Sequence, residues 1–415
     1  MIVALRDAVA DSGGGKAGSL GTLLRAGLPV PDGFVIPFDV YRLALGDPRR
    51  APSADPDAVR RAIQALALPD GLLGSLAYGL DRLGGGPVAV RSSAAGEDTA
   101  RASAAGQHES VLAVHGLGAV ADAVRTCWAS LYTARAVHYR SASGEHPPNG
   151  EPAMAVLVQR LVDAEVSGVM FTPTRPDGPT EIEASWGLGP SVVGGMVTPD
   201  AYRVAADASV TRTVADKRIR LDRDGTRLVT RDVPTADRDR PSLDHATATR
   251  LALLGREVAA VLGGPQDIEW ALADGRVWIL QARPVTAAPQ PAPRGAPAAV
   301  PATLRGAPGS RGTVTGTARV VRGPGDFARV RPGDILVCPH TDPSWTPLLR
   351  IASGVVTETG GVLSHAAIVA RERRIPAVLG VPGATTRIRD DTTVTIDGAA
   401  GTITTGLTSA QESGG

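Results

Sequence analysis

Lysine and cysteine are nearly missing from this chain, with two of each among 415 residues. Cys127 and Cys338 cannot by themselves build a disulfide framework or a four-ligand zinc site. Thiols this sparse suit a reducing, cytoplasmic compartment. Aromatic residues are only 3% of the chain, which leaves little from which to build a stacking platform for single-stranded nucleic acid. An excess of either charge is missing as well. With 43 basic and 42 acidic residues the net charge is +1, so nothing global draws the chain to nucleic acid or to an anionic membrane. No apolar run nears the roughly 18 residues a membrane span requires. The opening residues, MIVALRDAVAD, lack a basic segment followed by a long apolar core, so no secretory leader is expected. What is present is a 43% hydrophobic composition in a chain long enough for two or three domains. Glycine and proline make up about a fifth of it, below the level of a low-complexity chain. A soluble globular enzyme or binding protein is expected.

Lys16 and Lys217 stand beside forty-one arginines. Genome nucleotide composition is the plainer explanation of that bias. It still sets Lys16 apart, because arginine serves wherever a generic positive charge is enough.

The clearest domain boundary is residues 287–304, AAPQPAPRGAPAAVPATL, with five prolines and no acid. Eighteen residues of this kind are extended and semi-rigid and reach about 55 Å. They divide the chain into a first domain, 1–286, and a smaller one, 305–407, followed by a polar tail, 408–415. In the first domain, apolar residues at helical spacing (Val120, Val124, Trp128, Leu131, Ala134) predict a helix over 118–140. Strands are predicted over 154–162, 166–172, 266–272 and 277–283, the last two forming a hairpin around Ala273-Asp274-Gly275-Arg276. The second domain reads as short strands at 313–322, 334–338, 354–357 and 376–379, a helix at 364–374, and a closing hairpin of 392–397 with 401–405. The fold class is α/β in both parts.

The hairpin carries the most chemical information. With a three-residue loop, Glu269 lies opposite Gln281, and the period of two sets Arg283 on the same face. A carboxylate and an amide oxygen suit Mg²⁺, which takes one or two protein oxygens plus substrate phosphates. Arg283 would add a bidentate donor for a phosphate. On spacing alone, a solvent-facing cross-strand ion pair of little energetic weight explains the same pattern. Two further stretches bear on the choice. Gly13-Gly14-Gly15-Lys16-Ala17-Gly18 sets a lysine in a glycine-rich turn before an apolar helix, Leu20–Ala26, without the spacing of a P-loop. Residues 88–110 run from a strand into a loop of Ser, Ala and Gly that could offer backbone N–H groups to an anion, as many surface loops could. In the second domain, Gly360-Gly361-Val362-Leu363-Ser364-His365 opens a helix. Unpaired N–H donors at that end suit a phosphoryl group on the ring. A half-buried capping histidine is the plainer alternative.

Taken together these stretches resemble the phosphoenolpyruvate synthase, pyruvate phosphate dikinase and rifampin phosphotransferase group. GGGKAGSLGTLLRAGLPVPDGFVI, VAVRSSAAGEDTARASAAGQHES, CWASLYTARAVHYR, VLVQRLVDAEVSGVMFT and PQDIEWALADGRVWILQARPVT are similar to its ATP-grasp nucleotide-binding domain. GDILVCPHTDPSWTPLL and GVVTETGGVLSHAAIVARERRIPAVLGV are similar to its small swivelling β/β/α phosphohistidine domain. The resemblance implies ATP and Mg²⁺ as cofactors. It makes Lys16 and Arg91 phosphate-binding cations, and sets Gly106 and Ser110 in a nucleotide-contacting loop where the group commonly has Gly and Thr. It implies Gln159 beside the adenine, Glu269 and Gln281 as the magnesium pair, Arg283 as a phosphate-binding arginine and His365 as the phosphorylated residue. ATP would be converted to AMP and phosphate through phosphohistidine, and the Pro-rich linker would let the histidine domain swivel.

Three departures qualify that expectation. Gly187-Leu188-Gly189-Pro190 has proline where the group has a glutamate, Ala104 follows Ser103 where a phenylalanine is usual, and no pyruvate-binding barrel or large antibiotic-binding insert is expected within these 415 residues. The expected function is therefore a dikinase-type transferase acting on a small-molecule acceptor. The alternatives are the ATP and histidine component of a transferase whose acceptor domain is a separate protein, an ATP-dependent ligase acting through a phosphorylated substrate, and a non-catalytic nucleotide-binding protein.

Overall fold

Near-continuous apolar runs such as Met154–Arg160, buried along all but its last residue, form central strands in a computed structural model. It describes residues 1–46, 55–94, 109–134, 136–137, 140, 152–289 and 304–405. The contacts separate two units. The first comprises Met1–Gly189, Tyr202–Thr213 and Arg218–Thr286; the second comprises Pro190–Ala201, Val214–Lys217 and Ala287–Gly415. Two segments that precede the Pro-rich stretch, 190–201 and 214–217, thus group with the second unit. Residues 290–303 of the linker, the last two residues of the second domain, 406–407, and the whole tail, 408–415, lie outside the described residues. The α/β class expected from the sequence is the one found. Among the described residues no helix is long and apolar enough to cross a membrane.

The first unit holds two sheets. One is antiparallel throughout, in the order Val3–Ala4, Gly33–Ile36, Met154–Arg160, Val88–Ala94, Ser110–Val114. The other has six strands in the order Arg276–Pro284, Gln266–Ala273, Val166–Phe171, Thr180–Trp186, Asp200–Val204, Val210–Thr213, of which Asp200 and Ala201 group with the second unit. Helices Ala10–Arg25, Leu117–Ala129 and His245–Leu262 lay their apolar stripes on a core that includes Leu20, Leu23, Trp128, Leu251 and Trp270. The predicted helix over 118–140 is shorter in the structure. It closes at Ala129 in a 3₁₀ turn, Ser130–Tyr132, and Thr133 turns extended. There the Thr133 hydroxyl accepts the Ala136 N–H at 3.3 Å. A side-chain oxygen that satisfies a backbone donor two or three residues on starts a new turn rather than continuing the old one.

In the second unit eight strands form a mixed sheet. Its centre is Thr313–Val320, Ile335–Cys338, Gly354–Thr357 and Ala377–Leu379, paired in parallel. Parallel neighbours need a crossover. Helix His365–Arg373 supplies it between Gly354–Thr357 and Ala377–Leu379. The loops leaving the carboxyl ends of Ile335–Cys338 and Gly354–Thr357 carry Thr341 and Thr359-Gly360-Gly361. Open parallel sheets usually gather their chemistry at that end.

Candidate functional site

The hairpin in the first unit is built differently from the expectation, yet reaches the expected pairing. Ala273 pairs with Arg276, so the loop has two residues, not three. Asp274 and Gly275 both have positive φ, 51° and 68°, the backbone of a type I′ turn. Uninterrupted, that turn would set Glu269 against Leu280. Leu280 instead bulges out of the ladder between the Trp270–Ile279 and Glu269–Gln281 pairs, and the register shifts by one. Glu269 therefore faces Gln281, and Asp267 faces Arg283.

Arg91 reaches this patch from the five-stranded sheet. Its Nη2 donates to Gln281 Oε1 at 2.6 Å and lies 3.4 Å from Glu269 Oε2, while Nη1 donates to Leu280 O at 2.5 Å. The carbonyl that the bulge frees is the one Arg91 takes. The solvent-facing surface pair of the sequence reading is corrected here: Gln281 is buried, and the side chains of Arg91 and Glu269 are only 11% and 22% exposed. Arg283 pairs with Asp267, Nε and Nη2 both 2.8 Å from Oδ2, with both residues buried. Asp267 was missed in the sequence. Cross-strand register would have found it, because the offset that matches Glu269 to Gln281 also matches Asp267 to Arg283.

Lys16 lies inside a helix rather than in a turn ahead of one, a second correction. Helix Ala10–Arg25 contains the glycine run and breaks at Gly14, with φ 80° and ψ 167°. A Cβ on Gly14 would overlap the backbone oxygen and hydroxyl of Ser93. Glycine is thus what lets the helix settle onto strand Val88–Ala94. There the Lys16 ammonium donates to Ser92 O at 2.9 Å, and the Ala17 N–H to Ser93 Oγ at 3.2 Å. Lys16 is buried, 6% exposed. Ser110 is exposed and opposite Arg91 in the ladder. Gln159 is buried on the middle strand, its amide donating to Pro31 O at 3.0 Å. Gly106 lies outside the described residues, as does the Ser103–Ala104 pair. The structure therefore brings Arg91, Glu269 and Gln281 into direct contact, with Arg283 next along the same face, whereas Gln159 is held by Pro31. Lys16, Arg91 and Arg283 outnumber Glu269 and Asp267, a balance that suits a polyanion. Among the described residues no three His, Cys, Asp or Glu side chains converge as a metal centre; the Glu269–Gln281 oxygens are the pair that could share a cation with a bound phosphate.

In the second unit His365 is the first residue of helix His365–Arg373 and is buried. Its Nδ1 lies 2.9 Å from Thr341 Oγ1 and its Nε2 3.4 Å from Thr346 Oγ1. The preceding Ser364 sits in the capping position, but its hydroxyl turns back to Gly361 O at 2.8 Å and caps no helix amide. The first-turn N–H groups beside the ring are left without a side-chain acceptor from the cap, which suits a phosphoryl oxygen. Neither threonine was singled out in the sequence, since residues 19 and 24 positions away meet His365 only through the parallel strand order. His340 next door is half-buried, and burial pushes its imidazole below the ordinary value against the opposing pull of Asp342. Cys338 is buried, and burial pushes its thiol well above the ordinary range, so it is no nucleophile.

Residues 10–302 match the family described as pyruvate phosphate dikinase, AMP/ATP-binding domain, and residues 330–401 the family described as PEP-utilising enzyme, mobile domain. A curated protein named "Probable phosphoenolpyruvate synthase" from Methanothermobacter thermautotrophicus is 36% identical over 94% of this chain and 61% of its own. The phosphoenolpyruvate synthase of Aeropyrum pernix is 34% identical over 96% of this chain and 57% of its own. The chain thus spans 61% and 57% of the length of these two relatives. A solved D-alanine-D-alanine ligase from Coxiella burnetii is 11% identical, covering 65% of this chain and 46% of that one with a TM-score of 0.27.

Proposed function

This chain belongs to the pyruvate phosphate dikinase family through its AMP/ATP-binding domain, and on that premise we propose that it is a dikinase-type phosphotransferase. ATP is converted to AMP and inorganic phosphate, and the β-phosphoryl group travels on His365 to a small-molecule acceptor. The name of the relatives points to phosphoenolpyruvate as the product class. The observation that carries this reading is Arg91 spanning two sheets to touch Glu269 and Gln281 together.

The first unit, of ATP-grasp type, binds the nucleotide. Lys16, Arg91 and Arg283 hold phosphate oxygens, Gly106 and Ser110 are assigned to nucleotide contact, Ser110 from the strand position opposite Arg91, and Gln159 lies on the strand beside the adenine. The Glu269 carboxylate and Gln281 amide oxygen are hard donors facing each other in register, so their chemistry fits Mg²⁺. When bound, Mg²⁺ would neutralise charge on the phosphate oxygens. Arg91 bridges the same two oxygens, which keeps both turned toward the site.

His365 is the nucleophile. Thr341 Oγ1 lies closer to Nδ1 than Thr346 Oγ1 lies to Nε2; in the tautomer with the proton on Nδ1, Nε2 supplies the electron pair. Nε2 bonds to the β-phosphorus, the bond from that phosphorus to the α,β-bridging oxygen breaks, and AMP leaves with the oxygen. The γ-phosphoryl group is then removed to water or to inorganic phosphate. The acceptor's oxygen finally displaces the imidazole, so one hard transfer is split into easier ones. The test is isotope exchange between AMP and ATP in the presence of phosphate and without any acceptor. Exchange that disappears in His365→Ala supports the reading; exchange that survives that change, or AMP release with no need for the histidine, contradicts it.

A further inference from the structure

Lys217, the second of the two lysines, has no part in the function above, yet its side chain is completely buried. It belongs to a pair of short segments, 190–201 and 214–217, that group with the histidine unit. We propose that these segments form a strap that positions the loop presenting His365, and that Thr359 is the positioning residue through which the strap acts. This inference rests on the phosphohistidine reading for its kinetic consequence, but not for its structural one.

The strap is folded on itself. Pro190 opens a single helical turn, Pro190–Val193, at the position where a missing N–H costs nothing. The proline that departs from the family's glutamate is therefore well accommodated. Gly194 N–H closes the turn on Pro190 O at 3.0 Å, Gly195 N–H on Val192 O at 3.0 Å and Val197 N–H on Ser191 O at 3.3 Å. At the far end, Asp200 Oδ1 accepts from Lys217 Nζ at 2.6 Å and from the Ala215 N–H at 2.9 Å, and Lys217 Nζ also donates to Ala215 O at 2.9 Å. Both charged side chains are 0% exposed. A compact ammonium serves a carboxylate and a carbonyl in so closed a space, whereas a planar guanidinium fork would not fit. In a chain that otherwise uses arginine, that is a reason for a lysine here.

Two carbonyls of the strap face the histidine loop. Gly195 O accepts the Thr359 hydroxyl at 2.6 Å, and Val197 O accepts the Gly360 N–H at 3.1 Å. Gly360 has φ 99°, and a Cβ there would stand 3.5 Å from Gly195 Cα and 3.3 Å from Ser364 Oγ. From Gly360 the connection to the ring is short. Gly361 O accepts both the Ser364 N–H at 3.2 Å and the Ser364 hydroxyl at 2.8 Å, and His365 follows. The strap thus holds the residues that set where the helix, and with it the imidazole, begins. A shift of the loop by a fraction of an ångström would misplace the attacking nitrogen.

Thr359→Val keeps the shape and removes the hydroxyl donor; Thr359→Ser restores it. The probe is the full chain with β-labelled ATP, followed for the rate of label entering the protein, with equilibrium ATP binding measured alongside. Thr359→Val is expected to label about tenfold slower or worse, Thr359→Ser within about threefold of wild type, and ATP affinity to be unchanged in both. Wild-type labelling by Thr359→Val overturns the inference. A second measurement does not depend on turnover: amide hydrogen exchange across 359–366 in Thr359→Val and in Lys217→Met. Faster exchange there, with the central strands of the sheet still protected, supports the strap. Wild-type protection in both variants overturns it, even if no protein in the series takes up label, a result that would by itself count against the phosphohistidine reading.

Discussion

Arg91 makes three contacts in the proposed nucleotide site, and two of them are with the side chains proposed to meet magnesium. Removing either of those oxygens should therefore harm catalysis more than folding. Glu269→Ala and Gln281→Ala are each expected to retain less than about a tenth of wild-type ATP turnover, a barrier increase above ~1.4 kcal/mol. Their melting temperatures should fall by a few degrees as well, because each change takes a partner from the largely buried Arg91 guanidinium, and a variant that keeps most of its turnover would remove Glu269 or Gln281 from the site. The cross-strand pairing of Glu269 with Gln281, and the placing of Arg283 two residues on along the same face, were legible in the sequence. Asp267 was equally legible and overlooked. Thr341 and Thr346 were not legible, because their approach to His365 depends on which strands run parallel. A second residue-scale expectation concerns His340, whose imidazole is held below its ordinary value by burial. As pH falls, the unfolded chain takes up the proton first. His340's contribution is therefore intact above about pH 6.5 and is lost as pH drops through its lowered native value. Melting temperatures measured between about pH 7 and 5 should fall less steeply in His340→Asn than in wild type; parallel curves would contradict this.

Two elements depend on backbone details that composition and periodicity do not report. The hairpin was expected to align Glu269 with Gln281 through a three-residue loop, and it does so through a two-residue turn plus a bulge at Leu280. The outcome was readable and the cause was not, since a turn and a compensating bulge leave the same residues opposed. In helix Ala10–Arg25 the glycines looked like a turn, but only Gly14 leaves helical geometry. Its backbone lies in a region open almost only to glycine, and an L-residue there costs about 1–3 kcal/mol before any clash is counted. Gly14→Ala should therefore lower the melting temperature by about 5 °C or more. It should also weaken nucleotide binding, by pushing Lys16 away from Ser92. Wild-type stability and affinity in that variant would show that the close approach of helix and strand has no functional weight. Strands Thr180–Trp186 and Asp200–Val204 were not assigned from the sequence, although Ile182, Ala184 and Trp186 alternate with Glu181, Glu183 and Ser185 in the first and burial alternates along the second.

At the scale of the whole molecule, the chain is two units, and the segments 190–201 and 214–217 lie with the histidine unit although they precede the Pro-rich stretch. Sequence order pointed to a single passage between domains at 287–304 and could not reveal these earlier ones. They are short and carry no composition of their own. The two-unit arrangement has a chemical meaning if a phosphoryl group taken from a nucleotide bound by the first unit comes to rest on the second. That can be measured directly by incubating the protein with ATP labelled at either the β or the γ position and assaying the label that remains on it. Label from the β position that is acid-labile, base-stable and absent in His365→Ala, with little from the γ position and ATP binding intact in the variant, is the predicted result. Label that comes only from the γ position, or that persists in His365→Ala, would contradict phosphohistidine as the intermediate.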